Sequence, residues 1–188
     1  MDKVAIQRAV RQIITAIGED PDREGLAETP RRVADMYEEL FSGLTQDPGH
    51  LLEVGFDAED HHEMVVVKDI PLSALCEHHL MPFHGQAHIG YIPNARILGV
   101  SKIARLLEML AHRPQVQERL TSQVADFLCQ GGLGAKGAGV VIEAEHTCMT
   151  IRGVKKPGSK VVTSATRGIF RDDPRTRAEF FAIVEGKK

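Results

Sequence analysis

The sequence predicts an α+β protein in which a helical N-terminal region precedes a unit built around a β-sheet. Apolar residues recur at helical spacing in the first part of the chain, and the rest follows the order strand–strand–helix–helix–strand–strand. Such an order is typical of an antiparallel sheet that carries its helices on one face. We place the boundary after the connector that follows the helical region, which gives segments 1–62 and 63–188.

Two helices are predicted in the N-terminal region. The first covers residues 3–17, where aliphatic side chains recur at helical spacing before Gly18. The second begins at Thr29 and Pro30, an N-cap and a first-turn proline, and ends at Gly43. Residues 48–62 are polar and irregular, so we interpret them as a connector.

Four strands and two helices are predicted in the sheet unit. β-Branched and aromatic residues bounded by proline or glycine predict strands at 63–70 and 84–92, and two more follow at 140–151 and 160–170. Ser101 is predicted to cap the first helix. The second is predicted to start at Pro114 and to end at the glycine-rich run 131–139. A last short helix is predicted to follow 172–174.

The composition restricts the partners that the protein is expected to have. Of the 188 residues 26% are charged, and the net charge is −3, which gives no reason to expect nucleic acid or an anionic membrane as a partner. The sequence has no apolar run of membrane-spanning length, and charges within its first residues do not fit a signal peptide. We therefore expect a cytoplasmic protein with no membrane partner.

Two short Cys/His clusters predict a metal site. Cys76 and His79 form a Cys-x-x-His step, and His146 and Cys148 lie close together far along the chain. If the second segment is extended, His146, Cys148 and Arg152 project from one face. Thiolate and imidazole ligands together favour zinc over magnesium or calcium.

The spacing leaves the type of metal site open. Cys76, His79 and Cys148 would provide three ligands and leave a position for water, as in catalytic zinc sites. A fourth ligand from His78 or His146 would close the site and make it structural. Histidines left over beside an open metal would suit acid–base catalysis. A disulfide between the cysteines is disfavoured because the cytosol keeps thiols reduced.

Two further groups of residues have both a functional and an ordinary interpretation. Ser101, Lys102 and Arg105 stand at a predicted helix N-terminus, where they could bind a phosphate chain together with Arg152 or form a solvated helix start. Glu118 lies off the apolar face of its helix. It is either a surface carboxylate or an acceptor for the two N–H groups on the edge of a guanine.

Four segments of the chain resemble the GTP cyclohydrolase I family: LCEHHLMPFHG, GVSKIARLLEMLAHRPQVQERLT, EAEHTCMTIRGV and TSATRGIF. The similarity runs from about Glu28 to the C-terminus. The resemblance implies a T-fold, in which an antiparallel four-stranded sheet carries two helices on one face after an N-terminal helical part. It also implies a homodecamer, a dimer of pentamers that close their sheets into a barrel, with active sites between subunits.

The resemblance implies a role for each candidate residue. Zn²⁺ would be bound by Cys76, His79 and Cys148, and proton transfer would fall to His78 and His146. Glu118, with its neighbour Gln117, would hold the edge of the guanine. The triphosphate would be bound by hydroxyl and basic side chains, namely Ser101, Lys102, Arg105, Arg152 and Arg32. Cys129 lies outside these motifs, and we interpret it as a packing residue.

The activity that the resemblance implies is the hydrolytic opening of the imidazole ring of GTP. Attack at C8 would release formate and lead to 7,8-dihydroneopterin triphosphate, the first step of tetrahydrofolate and tetrahydropterin biosynthesis. Two alternatives remain open at this point. One is a related T-fold enzyme that acts on another purine or a pterin, and the other is a non-catalytic binding module with a closed four-ligand zinc site.

Overall fold

The N-terminal region is helical, as predicted. The computed structural model describes residues 1–52, 55–58, 61–131 and 133–186, and in it helix α1 spans Lys3–Ala16 and helix α2 spans Thr29–Leu40. A short 3-10 helix follows at Ser42–Thr45. Lys3 joins the two helices, because its Nζ lies 2.7 Å from Asp35 and 2.9 Å from Glu38 on α2. Thr29 is the first residue of α2 and not its cap, which is Glu28.

The segment at 48–62 contains more regular structure than the predicted connector. Helix α3 spans Pro48–Leu52, and strand β1 spans Gly55–Asp57. Strand β1 pairs antiparallel with β4, Arg96–Leu98, in a separate two-stranded sheet. Elements of three to five residues are too short to show a periodicity, so the polar composition alone led to the wrong prediction.

The main sheet contains the four predicted antiparallel strands and one short addition. The four strands are β2 at Val65–Cys76, β3 at Met81–Ile92, β6 at Gly137–His146 and β7 at Lys160–Gly168. Strand β5, Pro114–Gln115, pairs parallel with the end of β2, which gives the order β5-β2-β3-β6-β7. Strands β2 and β3 are longer than predicted and meet at a tight turn, 77–80.

Two helices cover one face of this sheet, as the T-fold requires. Helix α4 spans Val100–Ala111 and helix α5 spans Gln117–Gln130. Their buried side chains form one core with the facing residues of β3 and β6, which include Phe83, Ile89, Leu106, Leu120 and Val140. Two predicted helix starts were wrong. Gly99 caps α4, so Ser101 lies inside its first turn, and α5 begins at Gln117 because Pro114 and Gln115 form β5.

Residues of the C-terminal helices pack against the opposite face of the sheet. Helix α6 is a single turn at Thr147–Thr150, α7 spans Ile169–Asp172 and α8 spans Pro174–Glu185. From α7 and α8, Phe170 and Phe180 pack against the sheet where Gly90 and Gly139 leave room, since a Cβ on Gly139 would lie 2.7 Å from Phe170. No helix in the described part of the chain is long and apolar enough to cross a membrane.

Candidate active site

The two Cys/His clusters meet at one end of the main sheet. Cys76 is the last residue of β2, and His146 is the last residue of β6. Both strands flank β3 and run antiparallel to it, so they end at the same end of the sheet. The possible ligand atoms of Cys76, His146 and Cys148 all lie within 4.8 Å of one another. Cys76 is buried, and the other two residues are half-buried.

The predicted strand at 140–151 is wrong beyond His146. Residues Thr147–Thr150 form the helical turn α6, which the Thr147 hydroxyl anchors by donating to the Pro82 carbonyl at 2.6 Å. Cys148 therefore reaches the site from a helical turn and not by the alternation of a strand. Arg152 lies beyond this turn, and its Nη1 donates to the Cys148 carbonyl at 3.3 Å.

The turn after β2 exposes two histidines beside the cysteines. His78 Nδ1 lies 3.6 Å from Cys76 Sγ, and His79 Nε2 lies 3.3 Å from Arg152 Nη1. His79, which the resemblance implied as the third zinc ligand, is not part of the group that includes His146. The turn itself is anchored by Glu77, which forms an ion pair with Arg119 on α5. The sequence analysis missed this pair because the two residues lie far apart in the chain.

The donor set fits a thiophilic metal ion. All three cysteines of the chain are free thiols, so Cys76 and Cys148 do not form a disulfide. Burial, reinforced by the neighbouring Cys76 thiol, raises the pKa of Cys148. Two adjacent thiols oppose each other's ionisation, and a bound cation removes that penalty. Two sulfurs and an imidazole within this distance could therefore hold a metal ion.

His146 is held by the core and by the first turn of α5. Its ring stacks on Phe83, with centroids 4.5 Å apart and planes 3° from parallel. Its Nε2 lies 2.7 Å from Oε1 of Gln117. Burial lowers the pKa of His146, and the negative charge of Glu118, the residue after Gln117 in the first turn of α5, opposes that shift. Glu118 itself is exposed, as predicted.

The side chain of Gln117 is enclosed by the protein. It is 1% exposed, and its Nε2 donates to the carbonyl oxygens of Ile142 and Val161, each at 3.0 Å. The same nitrogen lies 3.1 Å from the Thr163 hydroxyl. The side-chain amide of Gln117 is therefore hydrogen-bonded inside the protein, and the contact between Gln117 and guanine stays a prediction.

The predicted phosphate contacts lie on helix surfaces. Ser101 and Arg105 are exposed on the first turns of α4, where Lys102 is half-buried, and Arg32 is exposed on α2. Arg105 lines a groove with Glu39, Glu108 and His112. None of the residues Cys76, His146 and Cys148 lines that groove among the described residues. Arg152, by contrast, donates to the Cys148 carbonyl and lies 3.3 Å from His79 Nε2.

Comparisons with known proteins identify the family of this chain. The family model of GTP cyclohydrolase I matches residues 6–185. A GTP cyclohydrolase 1 of Dehalococcoides mccartyi is 57% identical over 188 residues, which cover 99% of this chain and 98% of the relative. A GTP cyclohydrolase 1 of Carboxydothermus hydrogenoformans is 60% identical over 185 residues, which cover 98% and 95%.

A third relative and one solved structure complete the comparison. A GTP cyclohydrolase 1 of Caldanaerobacter subterraneus is 58% identical over 189 residues, with full coverage of both chains. The crystal structure of an archaeosine synthase QueF-like protein in the apo form is a distant likeness, with 14% identity, a TM-score of 0.44 and coverage of 56% of this chain and 93% of that chain. The family model and the relatives decide the matter: this chain belongs to the GTP cyclohydrolase I family.

Proposed function

We propose that the protein is a zinc-dependent GTP cyclohydrolase I. It opens the imidazole ring of GTP by hydrolysis, releases C8 as formate and forms 7,8-dihydroneopterin triphosphate for tetrahydrofolate and tetrahydropterin biosynthesis. The observation that carries the proposal is the convergence of Cys76, His146 and Cys148 beside two further histidines, in a chain that the family model matches over residues 6–185. The relatives named GTP cyclohydrolase 1 support the choice of substrate.

The zinc ligands that we propose are Cys76, His79 and Cys148. His79 follows Cys76 in the same turn, and Arg152 Nη1 lies 3.3 Å from both His79 Nε2 and the Cys148 carbonyl, so the His79 ring borders the Cys148 turn. His146 is the alternative third ligand because of its distance from the sulfurs. A zinc ion held by these residues would supply Lewis acidity and would lower the pKa of a bound water toward neutrality.

His146 and His78 are the proposed proton-transfer residues. Burial lowers the pKa of His146, which favours the neutral ring and makes its protonated form a stronger acid, so a proton taken up during turnover would be delivered readily to the departing ring nitrogen of guanine. His78 is exposed in the turn beside Cys76 and would assist the opening of the ribose ring. Two histidines would be needed because the reaction requires proton transfers at two separate positions of the substrate, the guanine ring nitrogen and the ribose ring.

Glu118 and the basic side chains are proposed to hold the substrate. The Glu118 carboxylate would accept from N1–H and the 2-amino group of guanine, next to His146. The triphosphate would be bound by Ser101, Lys102, Arg105 and Arg152, with Arg32 as a further contact. Such remote contacts orient the guanine at the reacting centre.

The proposed assembly is a homodecamer with active sites between subunits. Two features of the sheet support it. Within the described chain β2 pairs with β5 only at Leu75 and Cys76, and the outer edge of β7 has no strand partner. Open edges of this length are ready to pair with another chain, and pairing of β2 with β7 of a neighbour would close a barrel. We also propose a cytoplasmic location.

The test is the stoichiometry of GTP consumption. The zinc-loaded protein is incubated with GTP, and formate and the fluorescent oxidised pterin are measured over time. We expect one formate for each GTP consumed, loss of both products with a chelator, and recovery when zinc is restored. GTP consumption without formate, or formate production that a chelator does not affect, would reject the proposal. Replacing GTP with other purine nucleotides tests for an enzyme of different specificity.

A further inference from the structure

The carboxamide of Gln117 is enclosed between helix α5 and the sheet. Gln117 is the first residue of α5, and it is 1% exposed. Its side chain contacts both strands that face this end of the helix, through the Ile142 carbonyl on β6 and the Val161 carbonyl on β7. A buried amide with this many partners is a rigid part of the structure, because breaking any of these bonds would leave a polar group unsatisfied.

The orientation of this amide is fixed by its partners. The nitrogen Nε2 lies 3.0 Å from each of the two carbonyl oxygens, and 3.1 Å from the Thr163 hydroxyl. Carbonyl oxygens only accept, so the group that faces them must be the NH₂. A rotated amide would place Oε1 against two carbonyl oxygens and lose both bonds. Oε1 must therefore face His146.

This orientation decides which nitrogen of His146 carries the proton. Oε1 of Gln117 has no hydrogen and lies 2.7 Å from His146 Nε2. The bond can form only if Nε2 donates, so the neutral imidazole has its proton on Nε2 and its lone pair on Nδ1. The stack on Phe83 holds the plane of the ring at the same time.

We infer that Gln117 is a positioning residue, which holds His146 with a proton on Nε2 and leaves Nδ1 as the nitrogen that exchanges a proton during turnover. The consequence for turnover rests on the proposed function. Gln117 acts through His146 and does not touch the substrate, in contrast to the role that the family resemblance implied. Recognition of the guanine edge then depends on Glu118 and not on both residues.

The first test is a spectroscopic one that needs no turnover. Imidazole N–H protons exchange rapidly with water unless they are hydrogen-bonded and buried. In ¹H–¹⁵N spectra of histidine-labelled protein, we expect a slowly exchanging Nε2–H resonance that disappears in His146→Ala. Gln117→Met keeps the length of the side chain and removes the acceptor, so the resonance should be lost.

The matched control for the buried network is Thr163→Val. It removes the hydroxyl that contacts Gln117 Nε2 at 3.1 Å and Thr121 Oγ1 at 2.7 Å, but it leaves the two carbonyl acceptors that orient the amide. The His146 Nε2–H resonance should survive in this variant. A resonance that persists unchanged in Gln117→Met, or a His146 proton found on Nδ1 in the unsubstituted protein, would overturn the inference. If Gln117→Met does not fold, the tautomer of His146 in the unsubstituted protein still decides the inference, because a proton on Nδ1 overturns it and a protected proton on Nε2 supports it.

The second test separates positioning from substrate contact. For Gln117→Met we expect kcat for formate release to fall roughly 100-fold, which is within the usual range for proton transfer, while KM for GTP changes little. A raised KM with unchanged kcat would instead assign Gln117 to the substrate. A failure of the proposed function would give a different result from a failure of this inference. In that case the unsubstituted protein would release no formate, while the resonance of His146 would still report on Gln117.

Discussion

The phenyl ring of Phe83 lies parallel to the imidazole of His146, with ring centroids 4.5 Å apart. The two residues are direct partners in the register of β3 and β6, so the pairing of the strands itself places one ring over the other. Phe83 is completely buried and belongs to the core under helices α4 and α5. The position of His146 is therefore set by the same packing that stabilises the sheet.

The histidine that binds zinc can be identified by paired substitutions. We expect His79→Ala to lose bound zinc, because it removes one of three proposed ligands. His146→Ala should keep zinc and lower the rate of formate release by roughly 10²- to 10⁴-fold, the usual contribution of proton transfer by a side chain. The measurements are zinc content per protomer after dialysis and the rate of formate release.

His84→Ala is the control for this pair. His84 is exposed on β3, on the sheet face opposite to its neighbour Phe83, so both zinc content and rate should stay near those of the unsubstituted protein. If His146→Ala loses zinc and His79→Ala keeps it, the third ligand is His146, and the assignment given above is wrong.

The cysteines can be separated in the same way. Cys148→Ser should strip zinc or weaken its binding strongly, because a serine hydroxyl is a poor substitute for a thiolate. Cys129→Ser provides a matched control, since Cys129 is also half-buried but lies on α5, outside the group of possible ligands. Zinc affinity is measured by competition with a chromogenic chelator. Equal affinities in the two variants would exclude Cys148 from the site.

Arg152 is expected to contribute mainly to the binding of the triphosphate. A hydrogen bond to a charged group contributes about 1.5–3 kcal/mol, so Arg152→Ala should weaken GTP binding by roughly tenfold or more. Binding is measured by calorimetry in a His146→Ala background, which suppresses turnover. Zinc content is measured in parallel because Arg152 also contacts His79 and the Cys148 carbonyl.

Arg175→Ala is the control for Arg152, because the Arg175 side chain is 94% exposed on α8. It removes the same charge from the protein and should leave GTP affinity unchanged. If the two substitutions weaken GTP binding equally, the effect comes from the change in net charge. Arg152 then does not bind the triphosphate directly.

The parts of the fold that could be predicted are those with a long and regular pattern. Helices α1 and α4 show their apolar positions over three turns or more, and α2 has a proline in its first turn, so their existence follows from the sequence. The zinc ligand candidates could be found because cysteine and histidine seldom cluster by chance in a short chain. These features depend on neighbours in the sequence and not on the tertiary structure.

The parts that could not be predicted depend on tertiary contacts. The segment His146–Thr-Cys-Met is compatible with a strand or a turn, and the hydrogen bond from Thr147 to Pro82 is one contact that favours the turn. The predicted helix starts at Pro114 and has Gln117 three residues further on, whereas α5 begins at Gln117. This shift changes the helix face on which the Gln117 side chain lies. Its burial follows from the positions of β6 and β7, which no local pattern contains.

Phe180 should be important for stability although it is far from the candidate ligands in the sequence. It is completely buried, packs edge-on against Phe170 with centroids 5.4 Å apart, and lies over Gly90 and Gly139. Phe180→Ala should lower the free energy of unfolding by about 3–5 kcal/mol through the cavity that it creates. Chemical denaturation measures the change, with the oligomeric state recorded at each step.

Phe56→Ala serves as the control for Phe180. Phe56 is 65% exposed on β1, so its truncation should change stability by about 0.5 kcal/mol or less. A loss of similar size in both variants would mean that Phe180 does not have the packing role that its burial indicates.

Glu118 is expected to determine the specificity for guanine. Inosine triphosphate tests this specificity because it lacks the 2-amino group of GTP. A carboxylate can accept from both N–H groups of guanine, so the loss of one bond should reduce kcat/KM by roughly 10- to 100-fold for inosine triphosphate. Glu118→Gln replaces one acceptor with a donor that opposes the guanine edge, so activity with GTP should fall more than activity with inosine triphosphate. Glu179→Gln, at an exposed glutamate on α8, controls for the loss of charge. If Glu118→Gln leaves the ratio of kcat/KM for GTP to kcat/KM for inosine triphosphate unchanged, another group recognises the base. Discrimination by Glu118 requires both carboxylate oxygens as acceptors, so the loss of one of them must change that ratio.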